Sequence, residues 1–392
     1  MNKLKLLRVI ASMDPKTGGP PNGINYITPY LTALNIETTI VCFDNSEAHF
    51  VKNSNFKIIA LAENKTSWQY NSKLYEWLIN NLEKYDVVFV HGIWIYHSYA
   101  VSKAIKNLKK ENTNLKIKHF IYPHGMLDSY FQKDKNRFLK SIRNFFYWHF
   151  IECKNLNNAN GIIFTSQGEM EIASKTFSNY KPMQTLNLGY GVDIPMEDFK
   201  QKTPEEYYLF LGRYDSKKGI DTIINAYKNL LLRNEINLPK LIIAGPGLNN
   251  EYGKFIQNLV KCNGVLKYKI ELLNMVYGTE KWQLISNAKA MILWSHQENF
   301  GISVAEALGM GVPVLLSKQV NIWREIVSNN AGFSENDSEV KLVETILKFN
   351  NLSASEYHTM CVNAKNTYLQ LYQPNKYASR LKALFENKYE QQ

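Results

Sequence analysis

Glu298 and Glu306 stand eight positions apart and carry the carboxylates that could do chemistry in the second half of the chain. The apolar run Ala290–Trp294 precedes them and a second run, Gly311–Leu316, follows, which predicts strand, loop, short helix and strand. In that order Glu298 lies on the loop and Glu306 about two turns into the helix. Ligands of α/β proteins bind at the carboxyl ends of parallel strands. The two carboxylates could therefore grip different parts of one polar ligand, although two glutamates on a solvated helix fit the same spacing.

A second pair, Arg213 and Lys218, follows the predicted strand Tyr207–Leu211. Arg213 stands where that strand ends, and Lys218 lies five residues later, near the start of a helix. An arginine can bind a diphosphate through two parallel N–H donors, and a lysine adds a point charge. Together they would neutralise a departing diphosphate, as transfer from a nucleotide-sugar requires. A basic turn before a solvated helix is the alternative.

Histidines occupy similar places in the first half of the chain. His124 follows the predicted strand Ile117–Tyr122, and His91 follows Val87–Val90. A histidine at the end of a strand can hydrogen-bond a substrate hydroxyl or act as a general acid or base, whereas a histidine satisfied within the core is the alternative. No second histidine or carboxylate stands at ligand spacing near His124, which argues against a metal site.

Gly18 and Gly19 lie in the loop after the first predicted strand, Leu6–Ala11. Glycines there let backbone N–H groups approach an anion or a sugar, and an ordinary turn is the alternative. Neither half of the chain shows Gly-x-Gly-x-x-Gly after its first strand, and no phosphate loop ending in Gly-Lys-Ser/Thr is present. Dehydrogenase and ATPase functions are therefore disfavoured.

Strands and helices alternate along both halves, which predicts an α/β protein with two doubly wound parallel sheets. A chain of 392 residues is expected to hold about two domains. The stretch 189–204 breaks the alternation, so we expect domains at 1–193 and 194–375, with a helix over 376–392 that packs back on the first domain or caps the second. The remaining predicted strands are Thr38–Phe43, Phe56–Leu61, Gly161–Thr165, Lys240–Ala244, Lys269–Leu273 and Val312–Leu316, and the clearest helices are Ser72–Glu83 and Ser98–Lys110.

Composition favours a globular protein of the reducing cytoplasm. Hydrophobic residues make up 45% of the chain, and no run reaches the 18 or more apolar residues of a spanning helix. The N-terminal run Lys3–Ile10 is too short for a signal peptide. The four cysteines stand far apart, which favours neither a zinc site nor a disulfide framework.

Positive charge is concentrated in one part of the chain. Residues 101–150 hold eleven Lys/Arg and three Asp/Glu, which is +8 of the total +11. Within them, a helical stripe of apolar residues over 131–149 alternates with Lys133, Lys135, Arg137, Lys140 and Arg143. Such a helix can lie on the anionic inner leaflet of a membrane, or its stripe can pack in the core while the charges face water. The segment lacks a recognisable nucleic-acid-binding motif, so nucleic acid is a disfavoured partner.

The order of these pieces resembles the retaining glycosyltransferases of family 4, which have the GT-B fold. The resemblance covers nearly the whole chain and is most specific in Gly212–Gly219, followed about eighty residues later by the segment from Glu298 to Glu306. Gly191–Asp193 looks like the junction between the family's domains, and Ala244–Gly247 like its second-domain glycine turn. The resemblance implies two Rossmann-like domains facing a central cleft, with the acceptor on the first and a nucleotide-sugar on the second.

The resemblance also implies roles for the residues. Arg213 and Lys218 would hold the donor diphosphate as leaving group, with Gly18 and Gly19 near it. Glu298 and His124 would lie by the transferred sugar. Backbone groups of Asn299, Phe300 and Gly301 would meet sugar hydroxyls and phosphate, and Glu306 would bind the ribose. The donor would be a UDP-, GDP- or other nucleotide-sugar, with no metal or other cofactor, since the basic pair supplies the electrostatic stabilisation.

Two features depart from the family pattern and leave alternatives open. Asn299 stands where many members have glycine, and Trp294–Gln297 replaces a frequent Pro-Ser. The resemblance implies a hexosyltransferase of bacterial surface polysaccharide synthesis (O-antigen, capsule or exopolysaccharide), and the basic segment suggests a glycan acceptor on a polyprenyl diphosphate. The alternatives are a non-catalytic nucleotide-sugar-binding protein and a sugar-nucleotide epimerase of the same fold.

Overall fold

The chain forms two compact units. The computed structural model describes residues 3–62, 66–130, 138–197, 199, 206–233 and 238–389, with only the backbone at 138–140. The first unit comprises Met1–Gly191 and Pro374–Gln392, and the second comprises Val192–Gln373. The chain thus enters the second unit at Val192 and returns to the first at Pro374, where the sequence predicts boundaries after residues 193 and 375.

Seven strands among the described residues form the parallel sheet of the first unit, in the order β3-β2-β1-β4-β5-β6-β7. Alternate side chains face opposite sides of the sheet, and both sides are covered, so the strands are apolar on both. Leu7 and Val88 belong to the core on one side, and Leu6 and Phe89 to the core on the other. The strands are β1 Leu4–Ile10, β2 Ile36–Cys42, β3 Lys57–Ala60, β4 Val87–His91, β5 Lys118–Tyr122, β6 Gly161–Phe164 and β7 Thr185–Asn187.

The second unit has a parallel sheet of six strands among the described residues, in the order β10-β9-β8-β11-β12-β13. Its central strands are fully buried apolar runs, as expected for a sheet with helices on both faces. The strands are β8 Tyr207–Leu211, β9 Lys240–Ala244, β10 Ile270–Leu273, β11 Ala290–Leu293, β12 Val314–Ser317 and β13 Gly332–Glu335.

Helices connect the parallel strands, since successive parallel strands need a crossover. The last helix, Pro374–Phe385, packs in the first unit beside the first helix, where Leu381 and Ile27 share a core. In chain order the helices are α1 Gly19–Ala33, α2 His49–Lys52, α3 Ser72–Asn81, α4 Tyr96–Glu111, α5 Phe138–Tyr147, α6 Cys153–Asn157, α7 Gln167–Thr176, α8 Ile220–Arg233, α9 Glu251–Lys261, α10 Gly278–Ser286, α11 Ile302–Gly309, α12 Trp323–Ser328, α13 Glu339–Asn350, α14 Ala354–Thr367 and α15 Pro374–Phe385.

The strand order reverses beside the first strand of each unit. β1 lies between β2 and β4, and β8 lies between β9 and β11. Crossovers leave such a strand in opposite directions, which opens a crevice outside its carboxyl end where α/β proteins bind ligands. The loops after β1, β4, β8 and β11 are therefore the expected ligand positions within each unit.

The predicted fold class, two doubly wound parallel sheets, is confirmed. Each predicted strand is present with ends shifted by two residues at most, and two strands were missed. The missed strands, β7 and β13, lie at the sheet edges, and all but one residue of each is partly exposed. An edge strand is less buried than a central strand and so contains fewer apolar residues. The apolar pattern that predicts a strand is therefore weak at these two positions.

The predicted apolar stripe over 131–149 is only partly described. Residues 131–137, with Lys133, Lys135 and Arg137, lie outside the described residues, as do the side chains of 138–140. Further along α5, Ile142, Phe145 and Phe146 are 41%, 55% and 55% exposed. This part of the stripe therefore faces outward and is not core. Among the described residues, no helix combines the length and the apolar character needed to cross a membrane.

Candidate active site

The loops after β8 and β11 meet where the strand order of the second sheet reverses. Gly212–Gly219 follows β8, and Trp294–Glu298 follows β11. The backbone N–H of His296 donates to the carbonyl of Lys217 over 2.9 Å, which ties one loop to the other. Arg213, Lys218 and Glu298, singled out from the sequence, all lie on these two loops.

Glycine and aspartate determine the shape of the loop after β8. The Asp215 carboxylate accepts the backbone N–H of Lys217 over 3.0 Å and starts a short 3₁₀ turn, Ser216–Lys218. Gly219 ends this turn with φ of +63°, a left-handed conformation that favours glycine. A Cβ on Gly219 would lie 2.2 Å from the carbonyl oxygen of Trp294. Only glycine therefore lets this loop approach the end of β11.

Lys218 and Glu298 form an ion pair across the two loops. The Lys218 ammonium donates to Oε2 of Glu298, and the Asn299 N–H donates to Oε1 over 3.1 Å. The Glu298 backbone is anchored as well, because its N–H donates to Gln319 and its carbonyl accepts from Asn321. The side chains are only 12% and 18% exposed, so water screens the pair weakly.

Two opposing effects determine the charge of Glu298. Burial acts to raise the pKa of its carboxyl, but Lys218, by charge and hydrogen bond, and then Lys217 lower it below its usual value. Glu298 is therefore ionised at neutral pH. Such a carboxylate can stabilise positive charge on a sugar or accept a hydrogen bond from it.

Three cations lie on the loop after β8, and the charges of Asp215 and Glu298 offset part of theirs. Arg213 is exposed, and Lys217 and Lys218 are partly buried beside it. The pKa of Lys217 is lowered, first by burial and then by the charge of Lys218, with a smaller contribution from Arg213. The sequence reasoning passed over Lys217, although its place between Asp215 and Lys218 was visible. The three cations suit a ligand with more than one negative charge.

His296 and Asp337 form a further pair at this site that the sequence reasoning missed. His296 Nδ1 lies 2.6 Å from Oδ2 of Asp337, and this hydrogen bond raises the pKa of the imidazole. Forty-one residues separate the two, so no local motif could have identified the pair. The contact holds the residue before Gln297 and so stabilises the loop that carries Glu298.

Asn299, Phe300 and Gly301 form the turn into α11. Gly301 has φ of +78° and precedes the first residue of the helix. Phe300 is buried and packs edge-to-face against Tyr372, with ring centroids 5.4 Å apart. The Asn299 amide oxygen lies 3.5 Å from Nδ2 of Asn321. The Phe300 ring thus anchors this turn, which leaves its backbone as the part suited to a ligand.

Glu306 does not share the ion pair of Glu298. It is the fifth residue of α11, little more than one turn into the helix, where the sequence placed it about two turns in. Its Oε1 accepts from the Lys281 ammonium over 2.6 Å. Burial raises the pKa of Glu306, and Lys281 opposes that shift. The two glutamates that looked like one pair in sequence thus have separate lysine partners.

In the first unit, Gly18 and Gly19 follow β1 as predicted. Gly18 has φ of +122°, and Gly19 is the first residue of α1. The Tyr190 hydroxyl donates to the carbonyl of Gly19 over 2.8 Å, and a Cβ on Gly23 would collide with the Tyr190 ring. Tyr190 therefore fixes the start of α1 through the Gly19 carbonyl and through its close contact with Gly23.

His124 and His91 lie side by side at the ends of neighbouring strands. His91 is the last residue of β4, and His124 follows β5 with φ of +51°. Nδ1 of His91 is 3.0 Å from Nε2 of His124, and the rings stack at 5.2 Å. Burial first, and then the charge of Arg8, lower the pKa of His124 to about 3. Both histidines are neutral at physiological pH.

Within the described parts of the chain, no group of three or more His, Cys, Asp and Glu side chains is arranged to hold a metal ion. The positive charge near Glu298 comes from Arg213, Lys217 and Lys218. Arginine and lysine side chains are residue types that bind phosphate groups.

Two doubly wound units with a cation-rich loop facing a carboxylate define a glycosyltransferase of the GT-B fold class. Two family models match the chain. "Glycosyltransferase Family 4" matches residues 17–184, and "Glycosyl transferases group 1" matches residues 193–367. The two models cover most of the chain, one in each unit. The chain belongs to glycosyltransferase family 4.

Curated relatives match parts of the chain. An uncharacterised glycosyltransferase of Methanocaldococcus jannaschii is 34% identical over 113 residues, which is 29% of this chain and 27% of that protein. The O-antigen chain mannosyltransferase RfbU of Salmonella typhimurium is 27% identical over 251 residues, 61% of this chain and 63% of that protein. The chain thus spans less than two thirds of the length of either relative.

Solved glycosyltransferases share the fold over nearly the whole chain. The Anabaena protein Alr3699/HepE, solved in complex with UDP and glucose, superposes with a TM-score of 0.69 at 16% identity. The match covers 98% of this chain and 100% of that one. At this identity the likeness shows the fold alone.

Proposed function

We propose that the chain is a retaining glycosyltransferase that moves a hexose from a nucleoside diphosphate sugar to a lipid-linked glycan in bacterial surface polysaccharide synthesis. The ion pair of Lys218 and Glu298 at the reversal of the second sheet carries this proposal. In this proposal Lys218 would bind a phosphate of the donor, and Glu298 beside it would meet the sugar. Family membership supports the reaction class, and the named activity of RfbU supports a hexose and a surface polysaccharide.

The donor would bind along the loops of the second unit. Arg213 and Lys218 would hold the diphosphate, and Lys217 would add to the positive field. The turn 299–301 would present backbone groups to the sugar and phosphate, and Glu306 would accept from the ribose hydroxyls with the oxygen that Lys281 leaves open. The Anabaena neighbour, solved with UDP, supports a nucleotide donor.

The charged side chains of Arg213, Lys218 and Glu298 would stabilise the transition state of the transfer. As the bond between the anomeric carbon and the diphosphate oxygen breaks, its electron pair goes to the diphosphate, where Arg213 and Lys218 stabilise the new charge. Glu298, ionised and held by Asn299, would stabilise the positive charge on the sugar. The acceptor hydroxyl would attack from the same face and pass its proton to the departing phosphate oxygen, which retains the anomeric configuration. A double displacement with Glu298 as nucleophile is the competing route. In either route the cations would make a metal unnecessary.

The acceptor proposal comes from the surface of the first unit. The helical segment 138–152 exposes Ile142, Phe145, Phe146 and Phe150, the last at 70%, within the basic stretch 101–150. An amphipathic surface of aromatic and basic residues suits an anionic bilayer. A pocket of about 310 Å³ adjoins the same segment and is lined by Ser67, Trp68, Trp94, Arg143, Tyr147 and Ile151. We place the enzyme on the cytoplasmic face of the inner membrane, with a polyprenyl-diphosphate-linked acceptor.

Transfer is tested with the purified full chain, a panel of UDP-, GDP-, ADP- and dTDP-sugars, and lipid-linked glycan extracts in the presence of EDTA. We expect one donor to give a product with retained configuration by NMR, and Glu298→Gln and Lys218→Met to abolish it. Lys341→Met and Glu344→Gln remove an exposed ion pair of the same unit and should leave activity unchanged. Donor binding without turnover would indicate a binding protein, and product without acceptor an epimerase.

Membrane binding is tested by sedimentation with phosphatidylglycerol vesicles at low salt. We expect the chain to sediment, and Phe145→Ser with Phe146→Ser to reduce the bound fraction. Phe255→Ser is the matched control, since Phe255 is 50% exposed on α9 of the other unit. Equal sedimentation of the double variant and the control would refute the role of the exposed aromatic residues.

A further inference from the structure

A buried arginine in the first unit lies next to the two histidines. Arg8 is 1% exposed in the middle of β1 and, among the described residues, forms no ion pair with an acid. Its guanidinium lies over the ring of Phe89, and its Nη1 is 3.0 Å from Nε2 of His91. A buried charge without a counter-ion loses its solvation by water without compensation from an opposite charge. Such a residue calls for an explanation beyond packing.

The arginine determines which nitrogens of the histidines carry hydrogen. A guanidinium can only donate, so Nε2 of His91 must accept and has no hydrogen. Neutral His91 therefore carries its hydrogen on Nδ1, which lies 3.0 Å from Nε2 of His124. Nε2 of His124 accepts this hydrogen, and the hydrogen of neutral His124 must then be on Nδ1.

The groups around Arg8, His91 and His124 keep the two imidazole rings neutral and hold their orientation. The His91 carbonyl accepts from Nε2 of His97, and the His91 ring stacks on Tyr122 at 4.9 Å. The other titratable groups close to Arg8 are the phenols of Tyr122, Tyr190 and Tyr377. Burial raises the pKa of each of these phenols, so none supplies a negative charge at neutral pH. Burial first, and then the charge of Arg8, lower the pKa of both His91 and His124 and so disfavour an imidazolium at either ring.

We propose that Arg8 is a positioning residue which, through His91, fixes His124 as the Nδ1–H tautomer, so that His124 acts on substrate as a hydrogen-bond donor and not as a base. This inference rests on the proposed function for the statement that His124 meets the substrate. Nδ1 already bears hydrogen and Nε2 is occupied by His91, so His124 has no lone pair left for the proton of an acceptor hydroxyl. The general-base role left open from the sequence is thereby replaced by donation to a sugar or acceptor oxygen.

The tautomer is read directly by two-bond ¹H–¹⁵N correlation on the full chain labelled with ¹⁵N-histidine, without substrate. We expect His91 and His124 both to show hydrogen on Nδ1. Arg8→Met should let His91 and His124 adopt the other tautomer and should lower kcat several-fold. Arg8→Lys keeps a cation and a donor, so it should keep the wild-type tautomers and kcat. Arg233→Met, at an exposed arginine of the other unit, is the control.

Two substitutions of His124 test whether the position of its N–H donor matters, and not only the presence of a polar side chain. His124→Asn keeps an amide N–H near the place of Nδ1 and tolerates the positive φ, whereas His124→Gln moves that group outward. We expect His124→Asn to keep measurable transfer and His124→Gln to lose about a hundredfold or more. Hydrogen on Nε2 of His124, or an unchanged tautomer in Arg8→Met, would overturn the inference. Absence of sugar transfer with the expected tautomers would instead refute the proposed function.

Discussion

The ion pair of Lys218 and Glu298 makes a quantitative prediction about the second unit. Glu298→Gln leaves the Lys218 ammonium in a site where its side chain is 12% exposed, without its counter-ion. Lys218→Met leaves the Glu298 carboxylate with the Asn299 N–H and the weaker field of Lys217. Each change removes one charge and strands the other away from bulk water.

The expected magnitude follows from this burial. Breaking a fully buried pair on one side costs about 3–5 kcal/mol, and the residual exposure here reduces this to about 2–3 kcal/mol for either single change. The double variant has no stranded charge, so it should lose clearly less than the sum of the single variants. We expect a coupling free energy of about 2 kcal/mol between the two positions.

Urea unfolding of the wild type, both single variants and the double variant, followed by circular dichroism, measures this coupling. The exposed pair Lys341 and Glu344 provides a matched cycle, in which no measurable coupling is expected because water screens both charges. Additive effects at Lys218 and Glu298, within about 0.5 kcal/mol, would refute the pairing. Transfer activity should be lost in all three variants, since each lacks at least one of the two charges that the proposed transfer uses.

Three further predictions concern a glycine, a carboxylate and the buried histidines. Gly219→Ala should destabilise the second unit by about 2 kcal/mol or more in urea, from the left-handed backbone and the close Trp294 carbonyl, whereas Gly264→Ala, whose Cβ meets nothing within 4 Å, should not. Glu306→Gln should weaken UDP binding about tenfold by calorimetry if it binds the ribose, and unchanged affinity would exclude that role. Burial lowers the pKa of His97 to about 4 and of His119 to about 3, below the unfolded value of 6.5, so stability is full above pH 7 and falls as the unfolded chain takes up protons. Each histidine should lower the free energy of unfolding by about 2 kcal/mol between pH 7.5 and pH 5. His119→Gln should therefore make the free energy of unfolding depend less steeply on pH, and an unchanged slope would contradict the assignment.

The local pattern of this sequence was enough to place its candidate site residues. Arg213, Glu298 and His124 follow apolar runs, and a run of buried residues bounded by turn signals predicts a strand and its end. The carboxyl ends of parallel strands lie at the same edge of a sheet, so residues that follow a predicted strand are candidates for ligand binding before the strand order is known. This reasoning needs only neighbours in sequence, so it could place these residues after strands, while their roles stay predictions.

The partners of those residues depended on strand order. Lys218 meets Glu298 because β8 and β11 are neighbours in the sheet, eighty residues apart in the chain. Lys281 holds Glu306 from a separate helix, so the two glutamates that the spacing joined have different environments. The exposure of Phe145 and Phe146 likewise depended on what packs nearby, since a helical stripe looks the same for a core and for a surface.

By itself, the sequence determined the class of fold, the family and the residue types at the strand ends, because these follow from local periodicity and motif order. Only the tertiary structure decided which charges pair with each other and brought Arg8, His91 and His124 into contact. Arg8 reads in sequence as one polar residue within an apolar strand, and its role arises from contact with β4. Electrostatic and hydrogen-bonding roles depend on distances of a few ångströms between remote segments, and those distances are set by packing.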